Sequence, residues 1–509
     1  MATPTITTTE QPLNGSTPSP RLSLSSRTLA KNTGFTVIGS AVPLLVAAIG
    51  IPILVKGLGL ERFGVLTLAW TLIGYLSLFD LGLGRALTKL VAEKYAEERL
   101  EEIPGAFWDS LLLLLGAGVV GALLVAAGTP WLVRHIIHVS PALENEAKLS
   151  FYFIALTIPV VTVGTGLRGF LEAGQQFFLV SLVRIATGVL GFLGPMACLL
   201  FTHRLEPVIA SLSLTRVAAV ALNFLLCVHT FPALWRSRKI GTTELKPLLK
   251  FGGWLSVSNL LSPIMVSMDR LMISGLLSVS MVAYYATPSE MMQKVLVFPY
   301  ALQTVMFPAL SAAMSRSTAE AKRLYRHSND AVFLAIFPVS FLVVLFAPDG
   351  LRLWLGASFA EHSALSLQLL AVGILINSMG HIPSILVQSA GRPDLSAKLK
   401  LFEVPLYLAF AWWLITHYGI NGAAFAWVLR ALMDSSLLFY VSRRWVSGAP
   451  FHLVYSFVGC VLLAFAFLLA GNHASLQVRG LYAFVTCCGT AAIATPSLKQ
   501  LLRREQVLC

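Results

Sequence analysis

The stretch AFWDSLLLLLGAGVVGALLVAAGTPWLV, residues 106–133, predicts the environment in which this chain folds. Asp109 is its one charged residue. A helix of about 20 predominantly apolar residues is long enough to cross the hydrocarbon core of a bilayer. The stretch therefore predicts a membrane-spanning helix.

The composition of the whole chain agrees with a membrane protein. Of its 509 residues, 56% are hydrophobic and 12% are charged, whereas a soluble domain has about 25% charged residues. The net charge of +13 does not indicate nucleic-acid binding, because the bases lie in short loops between apolar runs. The six cysteines have no metal-ligand spacing and are expected to fill apolar space. An ordinary soluble protein is thereby excluded.

Fourteen apolar runs predict an all-α polytopic membrane protein. Segments on the side of the N-terminal tail carry 25 Lys and Arg, segments on the other side carry 7, and the remaining five lie inside spans. This asymmetry and the even number of spans predict that both termini are cytoplasmic. The spans are predicted at residues 34–55, 64–84, 106–133, 149–170, 177–202, 207–231, 251–276, 282–310, 328–347, 364–388, 399–417, 421–441, 451–470 and 479–496.

An internal repeat divides these spans into two halves. Ala173-Gly174 and Ala390-Gly391 occupy matching short loops, and Arg216 matches Arg430. The offset near 217 residues corresponds to six spans, an even number, so the halves should be related by a pseudo-twofold axis along the membrane normal. Transporters often place their substrate sites at such a repeat interface.

Four regions follow from the spans and the repeat. Residues 1–30 are rich in Ser, Thr and Pro and predict a disordered cytoplasmic tail. Residues 31–240 and 241–445 should form an N-terminal and a C-terminal six-helix lobe, and residues 446–509 should contain helices 13 and 14 and a cytoplasmic tail. No signal peptide is expected, because the first apolar run is too long and lacks a small-residue cleavage site.

The stretch FDLGLGRALTKLVAEKYAEERLEE, residues 79–102, changes abruptly from apolar to charged. Apolar residues at helical spacing predict an amphipathic helix on the cytoplasmic membrane surface, with bases that face anionic headgroups. A solvated linker helix explains most of those bases equally well. Neither interpretation explains Asp80. The apolar positions are Leu83, Leu87, Leu90 and Val91, and the bases are Arg85, Lys89 and Lys94.

Charged residues inside predicted spans are the candidate site residues. Each would cost about 2.5–3.5 kcal/mol if it faced lipid, so we expect them to face a cavity or one another. Local pairs of opposite charge offer a purely structural role, whereas Arg184 and Arg216 have no acid within one helical turn and suit an anionic ligand. The bases are Arg184, Arg216, Arg270, Lys294 and Arg430, and the acids with gating or ion-coupling potential are Asp80, Asp269, Glu290 and Asp434.

Spacing gives further expectations about these residues. Glu290 and Lys294 are four residues apart, as are Arg430 and Asp434, so each pair can form on one helix face. Asp269 and Arg270 are adjacent and point about 100° apart, so they should not pair with each other. His381 is expected to be a hydrogen-bonded interior histidine, with a cavity lining as the alternative. The sequence shows no catalytic triad, nucleotide-binding loop or metal cluster, so the chain is not expected to be an enzyme.

Three stretches resemble the bacterial polysaccharide transporter family, the O-antigen and exopolysaccharide repeat-unit flippases of the multidrug/oligosaccharidyl-lipid/polysaccharide exporter superfamily. They are FDLGLGRALTKLVAE (79–93), the segment 268–314, and the segment 389–430, which contains GINGAA (419–424). The resemblance in pattern runs from about residue 30 to about residue 445 and matches fourteen spans in two six-span halves.

The resemblance implies a function. Members of the family move a polyprenyl-pyrophosphate-linked oligosaccharide from the inner to the outer leaflet of the bacterial inner membrane by alternating access through a cationic cavity. It implies membrane lipids, a polysaccharide polymerase and glycosyltransferases as partners, and no nucleic acid. No cofactor is expected, and coupling to H⁺ or Na⁺ is left open. In this setting Asp80 would gate the inward opening against Arg85 or a base of the second half. The alternative is an acid at a helix end that is held by local backbone N–H groups.

Three alternatives remain open. A lipid II flippase shares the fold type and the anionic substrate. A cation-coupled multidrug exporter of the same superfamily would suit an acidic cavity, whereas bases outnumber the buried acids here. A non-transporting scaffold for a polysaccharide synthase would not need costly buried charge.

Overall fold

A computed structural model describes residues 26–75, 80, 82–174, 176–236, 268–446, 459, 462–463, 466–467, 475 and 477–490. Within these ranges the secondary structure is helical, with turns and no strand. This confirms the predicted all-α class. The predicted tail up to residue 25, most of span 7 and most of span 13 lie outside the described residues.

Fourteen helical segments follow one another along the described chain. They are α1 Ser26–Tyr75, α2 Leu83–Ala96, α3 Ile103–His135, α4 Glu144–Ala173, α5 Phe177–Leu199, α6 Leu205–Thr230, the single turn α7 Ala233–Arg236, α8 268–276, α9 Val279–Val295, α10 Val297–Arg316, α11 Thr318–Trp354, α12 Ala357–Ser389, α13 Pro393–Ser442 and α14 477–490.

Seven of the described helices are long and apolar enough to cross a membrane. This does not confirm the predicted number of fourteen spans, because the segments do not correspond one to one. Helix α1 contains span 1 and residues 64–75 of span 2, and α13 contains spans 11 and 12. Each of these long helices is interrupted at a glycine, Gly59 and Gly419 respectively.

The turn at Gly419 explains the GINGAA element. Gly419 has φ 60° and ψ −140°, a conformation that side chains rarely adopt. Three residues later the returning helix crosses the backbone so closely that a Cβ on Gly422 would lie 2.0 Å from the Leu414 carbonyl oxygen. The element therefore makes a tight helical hairpin, in which the first glycine supplies the turn and the second supplies the close approach.

We expect Gly422→Val to destabilise the protein by at least about 3 kcal/mol, because backbone atoms must move to admit the side chain. Gly116→Val is the matched control, since a Cβ there meets no atom within 4 Å. Thermal unfolding in mild detergent, followed by size-exclusion chromatography, measures both variants. Equal midpoints for Gly422→Val and the control would contradict the tight hairpin.

The helices pack around one central helix in each half. Helix α4 contacts α2, α3 and α6, and α12 contacts α9, α10, α11 and α13. The two central helices end with the same pattern of backbone hydrogen bonds, at positions 216 residues apart in the sequence. The N–H groups of Gly174 and Ala390 donate to Phe170 and Leu386 over 3.1 and 2.9 Å. Two residues on, the N–H groups of residues 176 and 392 donate to residues 171 and 387. The repeat seen in the sequence is thus also a repeat of backbone geometry.

Several contacts between the halves lie at the ends of the helices that carry the turns at Gly59, Leu277 and Gly419. We call this end of the bundle the turn side. A Cβ on Gly64 would lie 2.1 Å from the Val279 carbonyl oxygen, so α1 and α9 touch backbone to backbone. The loop after α3 also reaches the other half, where His138 Nδ1 lies 3.3 Å from the Ser274 carbonyl oxygen.

The predicted amphipathic helix exists as α2, but its apolar face does not meet the membrane surface. Leu83, Leu87 and Val91 are each at most 1% exposed and pack against α3 and α4. Lys94 is 3% exposed and forms an ion pair with Glu102 over 2.6 Å, so it does not face headgroups as predicted. The sequence pattern indicated the helix correctly, but an apolar stripe alone does not distinguish a protein neighbour from lipid.

Candidate functional site

A cavity in the first half is lined by three arginines. It has a volume of about 260 Å³ and lies between α4, α5 and α6. Arg168 extends from α4, Arg184 from α5 and Arg216 from α6. The described residues that line it include Asn223 but no acid, so their formal charge is +3. Arg168 and Arg216 lie close enough to repel each other. Such a site favours an anionic ligand.

A second cavity occupies the other half. It has a volume of about 340 Å³ and lies between α9, α10, α12 and α13. Its wall combines charged groups with amides, hydroxyls and three ring side chains. The polar lining residues are Gln293, Tyr300, Gln303, Asn377, His381, Ser384, Gln388, Ser396, Lys400, Arg430 and Asp434.

The two cavities occupy equivalent places in the repeat. Adding 216 to the residue numbers of the lining residues on α4 and α5, or 214 to those on α6, gives matching lining residues on α12 and α13. Arg184 then corresponds to Lys400, and Arg216 corresponds to Arg430. The other matched pairs are Val161 and Asn377, Gly164 and Gly380, Arg168 and Ser384, Val180 and Ser396, and Val220 and Asp434.

The repeat conserves the place of the cavity but not its charge. At two of the matched positions the second cavity loses Arg168 to a serine and gains Asp434 in place of a valine. A second acid, Glu403, is fully buried and interacts electrostatically with Asp434, Arg430 and Lys400. The charged lining residues Lys400, Arg430 and Asp434 give this cavity a formal charge of +1, compared with +3 in the first.

Arg430 is held by aromatic rings rather than by a salt bridge with Asp434. Its guanidinium carbon lies 5.2 Å from the Trp427 ring centre and 5.8 Å from the Tyr407 ring centre, distances typical of cation–π contacts. Its Nε atom is buried and has no hydrogen-bond partner among the described residues. The aromatic rings therefore hold Arg430 in place, and its Nε–H remains available to donate a hydrogen bond to a ligand.

A third cavity, of about 370 Å³, lies between the halves and adjoins the first. Helices α1, α5, α9 and α11 line it, and Glu290 and Lys294 are its charged residues. Pro43 belongs to this cavity, and a Cβ on Gly188, which lines the first cavity, would lie 2.7 Å from Pro43. The two cavities therefore share a wall formed by α1 and α5.

Arg270 forms an ion pair within the second half and also contacts the first half, beside this third cavity. Arg270 Nη1 donates to Glu290 Oε1 over 2.9 Å and to the Thr71 hydroxyl of the first half over 2.6 Å. Thr71 and Glu290 lie about 16–18 Å along their helices from the turn side, close to the middle of a 30 Å hydrocarbon core. Glu290 thus pairs with Arg270 and not with Lys294, which was the predicted local partner.

Asp269 uses a different partner from its neighbour Arg270. Its carboxylate is 1% exposed and accepts a hydrogen bond of 2.6 Å from the Tyr285 hydroxyl. The adjacent side chains therefore diverge, as the helical spacing required. Asp269 also interacts electrostatically with Arg430, which connects the bridging ion pair to the second cavity.

Asp80 lies deeper in the bundle than predicted. The Gly82 N–H donates to its Oδ1 over 2.8 Å, and Thr165 hydrogen-bonds to its carboxylate. Thr165 precedes the end of α4 at Ala173 by eight residues, or about 12 Å. Asp80 is thus within the bundle and not at the cytoplasmic end of span 2. Arg85 is exposed, and both Arg85 and Arg168 interact electrostatically with Asp80.

His381 lines the second cavity and is not the hydrogen-bonded interior histidine that was expected. Its ring packs edge-on against Tyr300 with centroids 4.8 Å apart. Its Nε2 atom is buried and has no hydrogen-bond partner among the described residues. The alternative interpretation, a cavity lining, is the one that agrees with the structure.

The structure therefore sorts the predicted site residues into three places. Arg184 and Arg216 share the first cavity, Arg430 and Asp434 share the second, and Arg270, Glu290 and Lys294 lie between the halves. Sequence reasoning missed Arg168, Lys400 and Glu403. The repeat offset would have found Lys400 from Arg184, but Arg168 lies near the end of span 4 and was not singled out as a candidate. No group of three potential metal ligands occurs in the described part of the chain.

Comparison with known proteins gives a family and a fold. A family model described as "Polysaccharide biosynthesis protein" matches residues 29–314, more than half of the chain. A Shigella flexneri protein named "Putative O-antigen transporter" is 28% identical over 434 residues, which cover 82% of this chain and 99% of the relative. A Haloferax volcanii protein named "Probable low-salt glycan biosynthesis flippase" is 25% identical over 221 residues, covering 42% of this chain and 47% of that one.

The fold is that of a known transporter superfamily. A solved inward-facing multidrug resistance MATE family transporter of the MOP superfamily has a TM-score of 0.65 at 17% identity. The match covers 82% of this chain and 99% of the solved one. At this identity the likeness shows the fold alone.

Proposed function

The chain belongs to the polysaccharide biosynthesis protein family, and from this membership we propose that it is a flippase for polyprenyl-pyrophosphate-linked oligosaccharide repeat units. It would act in the bacterial inner membrane, with both termini cytoplasmic, in the synthesis of a surface polysaccharide. The names of the Shigella and Haloferax relatives, an O-antigen transporter and a glycan biosynthesis flippase, support this substrate class.

The observation that carries the proposal is the cavity with three arginines and no lining acid. A pyrophosphate is a compact anion whose oxygens match the forked donors of arginine. Three neighbouring bases without an acid repel one another, and their proximity becomes favourable when they hold such an anion. An exporter of organic cations would need the opposite charge in this place.

Transport would proceed by alternating access. A backbone contact between the halves lies on the turn side, where α1 and α9 touch. Closure on that side is expected to leave the first and third cavities open toward the cytoplasmic tail, where the lipid-linked substrate is made. Separation of the halves at α1 and α9, with release of the Arg270 bridge, would then open the outward path.

Ion coupling belongs to the same proposal. Asp80, Asp269, Glu290 and Asp434 are acids within the bundle, and each lies near a base. A proton or Na⁺ that neutralises one of them would change the charge balance of its neighbouring arginine. Polysaccharide polymerase and glycosyltransferases are the partners that this function would require.

Mass spectrometry of lipids that copurify with the protein in mild detergent tests the proposed substrate without a prior guess about the sugar. We expect wild type to retain a polyprenyl-pyrophosphate glycan and Arg216→Ala to lose it. Retention of bulk phospholipid only, together with transport of cationic dyes by the reconstituted protein, would contradict the proposal and favour a multidrug exporter. Retention of lipid II would identify the peptidoglycan precursor as the substrate instead.

A further inference from the structure

The second cavity has the lining of a site for an uncharged polar ligand. Four of its lining residues have amide side chains, Gln293, Gln303, Asn377 and Gln388. Amides and hydroxyls each donate and accept hydrogen bonds, so they match the hydroxyl groups of a sugar, which do the same. The formal charge of its lining residues is +1, compared with +3 in the first cavity, so it selects less strongly for an anion.

Unused polar atoms in the wall point to a missing ligand. His381 Nε2, Ser396 Oγ and Arg430 Nε are buried and have no hydrogen-bond partner among the described residues. All three residues line this one cavity. Buried polar groups normally find a partner, so three orphans in one wall indicate that the partner comes from outside the protein.

An aromatic face completes the lining. Tyr300 is 53% exposed, although it lines the cavity. The rings of Tyr300 and His381 pack nearly at right angles to each other. The accessible aromatic ring can support the apolar face of a sugar ring, while the surrounding amides bind the hydroxyls. The volume of about 340 Å³ lies at the lower end for small-molecule sites, so the cavity would hold only part of an oligosaccharide.

From this lining we infer that the second cavity binds the glycan portion of the substrate, while the first cavity binds its pyrophosphate. The inference rests on the proposed function and divides its substrate between the two halves of the repeat. One lobe keeps the three arginines for the charge common to all such lipids. The other lobe has Ser384 in place of Arg168 and Asp434 in place of Val220. Its amides hydrogen-bond to the sugar hydroxyls.

Competition binding distinguishes the two halves. The full-length protein in nanodiscs is offered bare polyprenyl pyrophosphate and the lipid-linked oligosaccharide pool from the expressing cells, and native mass spectrometry gives the ratio of the two complexes. We expect wild type to prefer the glycan-bearing lipid by about tenfold or more, as one or two hydrogen bonds would give. Asn377→Val, which installs the residue found at the matched position of the first half, and Gln303→Leu should reduce this preference to about twofold or less.

Two results would overturn the inference. Asn377→Val and Gln303→Leu could both retain the wild-type preference, or wild type could bind bare and glycan-bearing lipid equally. The matched control is Asn223→Val in the first cavity, which should weaken both ligands by the same factor and leave the ratio unchanged. Unchanged binding of bare lipid by the Asn377 variant shows that the fold is intact. If wild type bound neither lipid, the proposed function itself would fail, which is a different outcome from loss of the glycan preference.

Discussion

Arg216→Ala is expected to abolish export of the glycan while the protein still inserts into the membrane. Arg216 lies at the centre of the first cavity on α6, with Arg184 and Arg168 on the two neighbouring helices. Removing one partner of a desolvated charge pair costs about 2–5 kcal/mol, which corresponds to roughly a 30-fold or greater loss of affinity. Surface glycan on cells that depend on this chain measures export, and membrane fractionation measures insertion.

The second half supplies a matched control for charge. Val220→Asp introduces an acid four residues from Arg216, as Asp434 lies four residues from Arg430. It should reduce export nearly as much as the loss of Arg216, whereas Val220→Asn, of similar shape and no charge, should retain most of it. Normal export from both Arg216→Ala and Val220→Asp would remove the first cavity from the pathway.

Arg430 was expected from the sequence to be equivalent to Arg216, and the structure separates the two. Both lie at the matched position of a repeat, yet the first has no acid in its cavity and the second has Asp434 and Glu403 nearby. Arg430→Ala should therefore alter the discrimination between glycans more than the binding of pyrophosphate. The sequence repeat predicts where a cavity lies, but its charge depends on lining residues that spacing along a single helix does not reveal.

Much of the fold could be predicted because membrane helices are encoded locally. Apolar length indicated the helices, and matched loop segments revealed the repeat, although the structure pairs Gly174 with Ala390 rather than with Gly391. The orientation that the loop bases predict stays a prediction. Partners across helices were harder to predict. Glu290 has Lys294 one turn away on its own helix, but it pairs with Arg270 from another helix. Helical spacing identifies which residues can meet on one surface, and only the packing of helices decides which charges are neighbours.

The same limit applies to Asp80. Its position in the sequence suggested a helix end at the membrane surface, because charged residues follow it closely. The structure instead gives the charged stretch an apolar face that packs on α3 and α4, which carries Asp80 inward to Thr165. Asp80 therefore lies close enough to Arg168 of the first cavity to interact with its charge, although the two residues are far apart in the sequence.

The second large effect is expected at the bridge between the halves. Glu290→Gln removes the charged carboxylate to which Arg270 Nη1 donates, and Arg270 is only 4% exposed near the middle of the membrane. Breaking a buried ion pair on one side costs about 3–5 kcal/mol, and the 28% exposure of Glu290 places the expected loss at the lower end. We expect a lower unfolding midpoint in detergent and a strong loss of transport.

A double-mutant cycle separates charge balance from packing at this bridge. Arg270→Met combined with Glu290→Met removes both charges together, so it should be more stable than either single variant, with a coupling energy of about 1–3 kcal/mol. Transport should nevertheless stay low in the double variant. Without Arg270, no hydrogen bond to Thr71 stabilises the state in which the turn side is closed, so the balance between the two states of the alternating cycle is lost. Additive effects of the two single variants on stability would show that Arg270 and Glu290 do not act as a pair, and full transport by the double variant would exclude the bridge from the alternating cycle.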